Sequence, residues 1–152
     1  MTVTNRNIGA LIKTERAIAN TAATAGGSGD NTAVAGAIID RAQIGSPLTG
    51  VLAIPYTATL AEGETLTLTY TVQEGAASDL SDAETLKAAA VVVATGDTGG
   101  STETGVLEVD LQLSAAGRYV RCNVTPDLSA SGTDTAAISG LLITAGADRM
   151  PQ

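Results

Sequence analysis

Hydrophobic residues in this chain recur mainly at every second position. From Glu64 to Gln73, Leu66, Leu68, Tyr70 and Val72 alternate with Thr65, Thr67, Thr69 and Thr71. Period two over ten residues predicts an antiparallel strand with one face in a core and the other in water. Threonine suits the wet face, because its β-branch favours extended backbone and its hydroxyl tolerates solvent. The alternation returns over Val106 to Leu113, with Leu107, Val109, Leu111 and Leu113 against Glu108, Asp110 and Gln112. It returns again over Arg118 to Thr125, where Val120, Cys122 and Val124 face inward, Tyr119, Arg121 and Asn123 face outward, and Pro126 ends the run.

Other segments are read as strands from composition. Val34 to Arg41 contains Ile38-Ile39, and Ala136 to Thr144 supplies Ile138, Leu141, Leu142 and Ile143. Val51 to Thr59 holds Pro55, which cannot donate to a ladder and so predicts an edge position or a bulge. Leu86 to Thr95 joins an alanine run to Val91-Val92-Val93, and strand is favoured from Ala89 onward. Between these lie Gly/Ser/Asp loops, among them 75–85, where Ser81 and Glu84 have the spacing of a capping box and predict one helical turn. Seven or eight short strands joined in this way predict an all-β antiparallel sandwich or jelly roll.

The first twenty residues break the pattern. Ile8, Leu11, Ile12 and Ile18 make a partial helical stripe, followed by small residues from Ala22 to Asn31. The expectation is an N-terminal arm and linker over 1–33, helical or extended, packed on its own domain or reaching a neighbouring subunit, ahead of a domain over 34–152 with a short polar tail.

Composition narrows the function. The 152 residues include no His, Trp or Phe, three Tyr and one Cys, against 27 Ala and 22 Thr. Without histidine, the commonest general base and metal ligand is missing, so the chain is expected not to be an enzyme and no cofactor is implied. Cys122 alone can form neither an internal disulfide nor a multi-cysteine metal cluster, and its place in the alternation makes it a core residue. A net charge of -8 repels phosphate backbones, so nucleic acid is not an expected partner. No stretch approaches the roughly 18 to 20 apolar residues that span a bilayer, so no membrane partner is expected either. The start of the chain lacks the unbroken apolar core of a signal peptide, which is the expectation for a protein made in the cytoplasm.

Three candidate chemistries are weak. Glu62 and Glu64 flank a turn without a partner base. Asp79, Asp82 and Glu84 share a loop but do not have EF-hand spacing, which leaves cation binding there open. Gly96 to Gly100 lacks the lysine of a phosphate loop. The outward Tyr119, Arg121 and Asn123 are better placed for contact, since arginine and tyrosine concentrate in the energetic centres of interfaces; alternatively, Arg118 and Arg121 pair with Glu108 or Asp110 on a neighbouring strand. Arg6, Lys13 and Arg16 in the arm and Arg149 in the tail give an acidic body basic ends.

The order of segments resembles the small jelly-roll decoration or cement proteins of tailed bacteriophages, the group typified by the Bordetella phage cement protein. The resemblance is carried by the strand Leu66 to Gln73, the loop Ser78-Asp79 to Thr85 and the run Arg118-Tyr119-Val120-Arg121 after Gly117. The loop Ser129 to Thr135 and the ending Gly146-Ala147-Asp148-Arg149-Met150-Pro151 complete it. It covers roughly residues 34 to 152, and the long N-terminal segment has no counterpart. It implies a homodimer or homotrimer on the exterior of a virion, bridging neighbouring copies of the major capsid protein. The partner-contact candidates are then Arg6, Lys13, Arg16, Tyr119, Arg121 and Arg149. The alternative is a carbohydrate- or receptor-binding sandwich of a phage tail or spike, for which only Tyr56, Tyr70 and Tyr119 offer stacking surfaces.

Overall fold

A computed structural model of the chain describes residues 8–130 and 132–147. Eight strands form two antiparallel sheets. They are β1 (Ile12–Thr24), β2 (Ile38–Asp40), β3 (Pro47–Leu60), β4 (Thr65–Gly75), β5 (Glu84–Thr95), β6 (Ser101–Gln112), β7 (Tyr119–Leu128) and β8 (Thr135–Ala147). The first sheet has the order β1-β8-β3-β6 and the second β2-β7-β4-β5. The strands pair first with last: β1 with β8, β2 with β7, β3 with β6 and β4 with β5. A ribbon folded on itself in this way is the eight-stranded jelly roll.

The core lies between the sheets and follows the alternation. Leu66, Leu68, Tyr70 and Val72 of β4, Val109, Leu111 and the following Leu113 from the β6 side, and Val120, Cys122 and Val124 of β7 are all buried. They meet Leu52, Ile54, Ala58 and Leu60 of β3 and Ile138 and Leu142 of β8. At 25 to 30 cal/mol per Å² of apolar surface removed from water, burying each Leu, Ile or Val contributes roughly 1.5 to 3 kcal/mol. Leu141 and Ile143 point out of the first sheet, because only every second residue of β8 can face the core.

Several expectations are corrected. Of the alternatives for the N-terminal segment, residues 12–24 take the extended one packed on its own domain and not the helix: they form β1, the edge strand of the first sheet, with Ala17, Ile18 and Ala23 buried, so the domain does not begin at residue 34. The alternation is hidden there because the β1/β8 register shifts between Arg16 and Ile18 and again between Ile18 and Thr21. A bulge adds a residue and breaks the period of two. Residues 25–33 are tied down as well, Ala25 N–H donating to Asp134 O and Asn31 N–H to Pro126 O.

Pro55 lies in a central strand, not at an edge. Pairing of β3 with β8 lapses between Ala53/Leu141 and Tyr56/Ile138, so the missing donor falls in a gap. The strand expected over 34–41 is only β2, followed by a 3-10 turn over Arg41–Ile44 that Asp40 caps and Gly45 closes at φ 87°. Loop 76–83 holds no helix; Asp79 accepts the Ser81 N–H, and Asp82 accepts from Ala76 and Ala77.

Candidate functional site

The outer face of the second sheet carries the most organised polar constellation among the described residues. Antiparallel register sets Gln73 opposite Arg121, Thr71 opposite Asn123 and Thr69 opposite Thr125. These positions point outward because Val72, Cys122 and Val124 between them point in. Gln73 Oε1 accepts three hydrogen bonds, from Arg121 Nε at 3.1 Å, Arg121 Nη2 at 2.8 Å and Asn123 Nδ2 at 2.8 Å. Asn123 Oδ1 in turn accepts the Gly36 N–H at 3.3 Å. Ala33 and Ala35 wall the other side of a groove of about 340 Å³.

The groove holds a fixed positive charge. Arg121 is braced by a neutral amide, so its charge is not cancelled locally, and its Nη1 makes no hydrogen bond among the described residues. A guanidinium immobilised in this way suits a carboxylate or another planar acceptor on a partner. Tyr119 stands two residues earlier on the same face, with the Arg118 guanidinium 5.2 Å from its ring centroid. Arg118 is held by Asp40 through two hydrogen bonds of 3.0 and 2.8 Å. That hydrogen bonding lowers the Asp40 carboxyl below its ordinary range and raises the guanidinium. Glu108 and Asp110, the partners expected for Arg118 and Arg121, stand instead on β6 in the other sheet.

The six contact candidates are thus divided. Tyr119 and Arg121 share the groove face. Lys13 and Arg16 lie on β1 in the other sheet, Lys13 paired with Glu15 at 3.7 Å and Arg16 bordering a cleft shared with Ile38 and Asp40. Arg6 and Arg149 fall outside the described residues. The carboxylates weighed for chemistry serve turns: Glu62 accepts from Gly99 N–H, and Glu64 accepts from the Ser129 hydroxyl. No group of three or more Asp, Glu or Cys gathers to a metal-binding geometry among the described residues.

Sequence reasoning missed two residues. Gln73, the last polar position of the β4 alternation, organises the groove. Arg41, 7% exposed, donates to Pro47 O at 2.8 Å, Leu113 O at 2.5 Å, Gly117 O at 2.8 Å and Ala116 O. Burial pushes its pKa below the ordinary value, opposed by the negative charge of Glu74, which itself accepts the Gly117 N–H. The signal was Asp40 five residues before Gly45, a capped turn with a cation inside it.

A chain in the structure of infectious bursal disease virus, Gt strain, superposes with a TM-score of 0.51 at 12% identity, over 92% of this chain and 34% of that one. The likeness is one of fold. A chain of the Gx strain gives 0.48 at 14% identity, and one of the VP2 subviral particle of that virus gives 0.47 at 16%, each over 92% of this chain and about a third of its own length. This chain therefore spans about a third of those proteins. No family model and no curated protein matches it. No helix among the described residues is long and apolar enough to cross a membrane.

Proposed function

We propose that this chain is a structural virion protein that binds the outer surface of a phage capsid and cements neighbouring major capsid protein subunits. The observation that carries this reading is the jelly-roll fold, which resembles that of a chain in the structure of a virus at 12% identity. The groove on β4 and β7 supports it, offering a braced, uncancelled arginine to an acceptor on a neighbouring protein. So does the side-chain inventory, which lacks histidine and leaves carboxylates engaged in turns. Many shallow contacts of this kind gain strength when repeated over symmetry copies.

The test is binding to undecorated capsids. Purified protein is expected to sediment with them and to raise the temperature at which they burst. Arg121→Ala is expected to weaken binding at least about tenfold while leaving the melting temperature within a few degrees. Failure to bind any undecorated particle, with burst temperature unchanged, overturns the reading.

The groove also favours a second reading, a receptor- or carbohydrate-binding module. Its weakness is aromatic: Tyr70 is buried, Tyr56 reaches across to Val93 O at 2.6 Å, and Arg118 lies over Tyr119. Specific signals on a glycan array, lost in Arg121→Ala, would favour it over cementing.

A further inference from the structure

The outer face of the first sheet departs from the pattern of the second. Where β4 shows threonine to water, β3 and β8 present half-buried Val51, Pro55 and Ile143 beside exposed Leu141, with Ala53 buried among them and Val106 of β6 adjoining. Val106 is 52% exposed and Leu141 37%. Register aligns these residues in rows that cross all four strands. One row reads Arg16, Leu141, Ala53, Glu108, and the next reads Thr14, Ile143, Val51, Asp110. Each row has large apolar side chains on β8, smaller ones on β3 and carboxylates at the β6 edge; the first also has a cation at the β1 edge.

We propose that this face is an interface between two copies of the chain, packed sheet on sheet about a two-fold axis that runs parallel to the strands between β8 and β3. That operation exchanges left and right across the sheet while keeping height along the strands. It sets Arg16 against Glu108 of the second copy, Leu141 against Ala53 and Ile143 against Val51, and repeats each contact on the other side. Charge meets opposite charge, and a large side chain meets a small one. A two-fold axis perpendicular to the strands would instead lay β6 on β6 and bring its carboxylates to the same edge. At about 4.8 Å between strands and 3.3 Å per residue, four strands over residues 49–57 of β3 present roughly 500 Å² of projected face. That is of the order of the ~800 Å² of accessible surface per partner in a standard interface. For a chain of net charge -8, self-association is favoured where an arginine offsets the acid of the neighbour.

Sedimentation equilibrium of the purified chain tests this independently of any capsid. The expected mass is twice 15.1 kDa. Leu141→Asp is expected to give monomers, with Val106→Asp as the second variant should the first not fold. Arg16→Glu and Glu108→Arg are each expected to raise the dissociation constant about tenfold, and R16E/E108R together to restore it to within about threefold. A monomer at about 1 mM, a trimer, a dimer indifferent to charge at 141 and 106, or a double swap that fails to restore association would each overturn the proposal.

Discussion

Arg41 is a cation 93% withdrawn from water, held by four backbone carbonyls that belong to two separate stretches of chain, Pro47 and the turn from Leu113 to Gly117. Removing it leaves those acceptors buried without donors, each at a cost of ~1 to 3 kcal/mol. Arg41→Met should therefore lower the unfolding free energy by about 3 kcal/mol or more in urea denaturation, and Arg41→Lys by less. Cys122 carries a pH signature. Burial pushes its thiol from 9.0 up to about 12, so the folded state holds a proton that the unfolded state has released. Its contribution is complete below pH 9 and is lost as pH rises towards 12. At 1.36 kcal/mol per unit the loss approaches ~4 kcal/mol, and Cys122→Val should flatten this part of the stability profile. The residue's core position was legible in the Val120, Cys122, Val124 alternation. Arg41 was only half legible, because Asp40 and Gly45 mark a capped turn but do not say that its arginine points inward.

At the scale of elements, the weakest signal was β1. Its two register shifts displace Ile18 from the period, and small alanines supply little contrast between faces. A dispensable arm could be cut away, but deleting residues 1–24 takes out a strand of the sandwich with buried Ala17, Ile18 and Ala23. The shortened chain should lose its cooperative thermal transition, which circular dichroism would register. The glycines next to β1 mark close approaches. A Cβ on Gly140 would lie 2.7 Å from Ile18 Cδ1, and one on Gly36 would run into the carbonyl oxygens of Ala17 and Cys122, where residues 34–37 pass between β1 and β7. Gly36→Ala should cost ~3 kcal/mol, more than Gly140→Ala, because backbone carbonyls of two strands can yield less than a single isoleucine side chain. Thermal melts of the two variants would show the order.

At the scale of the whole molecule, lysine and arginine are missing from the loops at one end of the sandwich. The loops 25–37, 61–64, 96–100 and the described part of 129–134 contain Asp30, Glu62, Glu64, Asp97 and Asp134, with no lysine or arginine. Arg41, Lys87, Arg118 and Arg121 lie towards the opposite end, near the turns that precede β3, β5 and β7, where Asp40, Glu74, Asp79, Asp82 and Glu84 offset them. Like charges gathered at one end repel in the compact state, and salt screens them. The melting temperature should rise by a few degrees between about 10 and 300 mM NaCl, whereas Glu62→Gln with Asp97→Asn should reduce that rise.

The sequence by itself determined the all-β class, the inward faces of β4, β6 and β7 and the core place of Cys122, because one-sided burial imposes a period that local composition records. It also bounded the chemistry through the missing histidine. Tertiary structure alone decided what depends on residues distant in sequence meeting. It put residues 12–24 beside β8, set Pro55 opposite a gap in a central ladder and closed four carbonyls around Arg41. It paired Gln73 with Arg121 across 48 residues, and it drew Arg16, Leu141, Ala53 and Glu108 from four strands into one row. Hydrogen-bond register creates those relations, and no local pattern encodes register between strands a hundred residues apart.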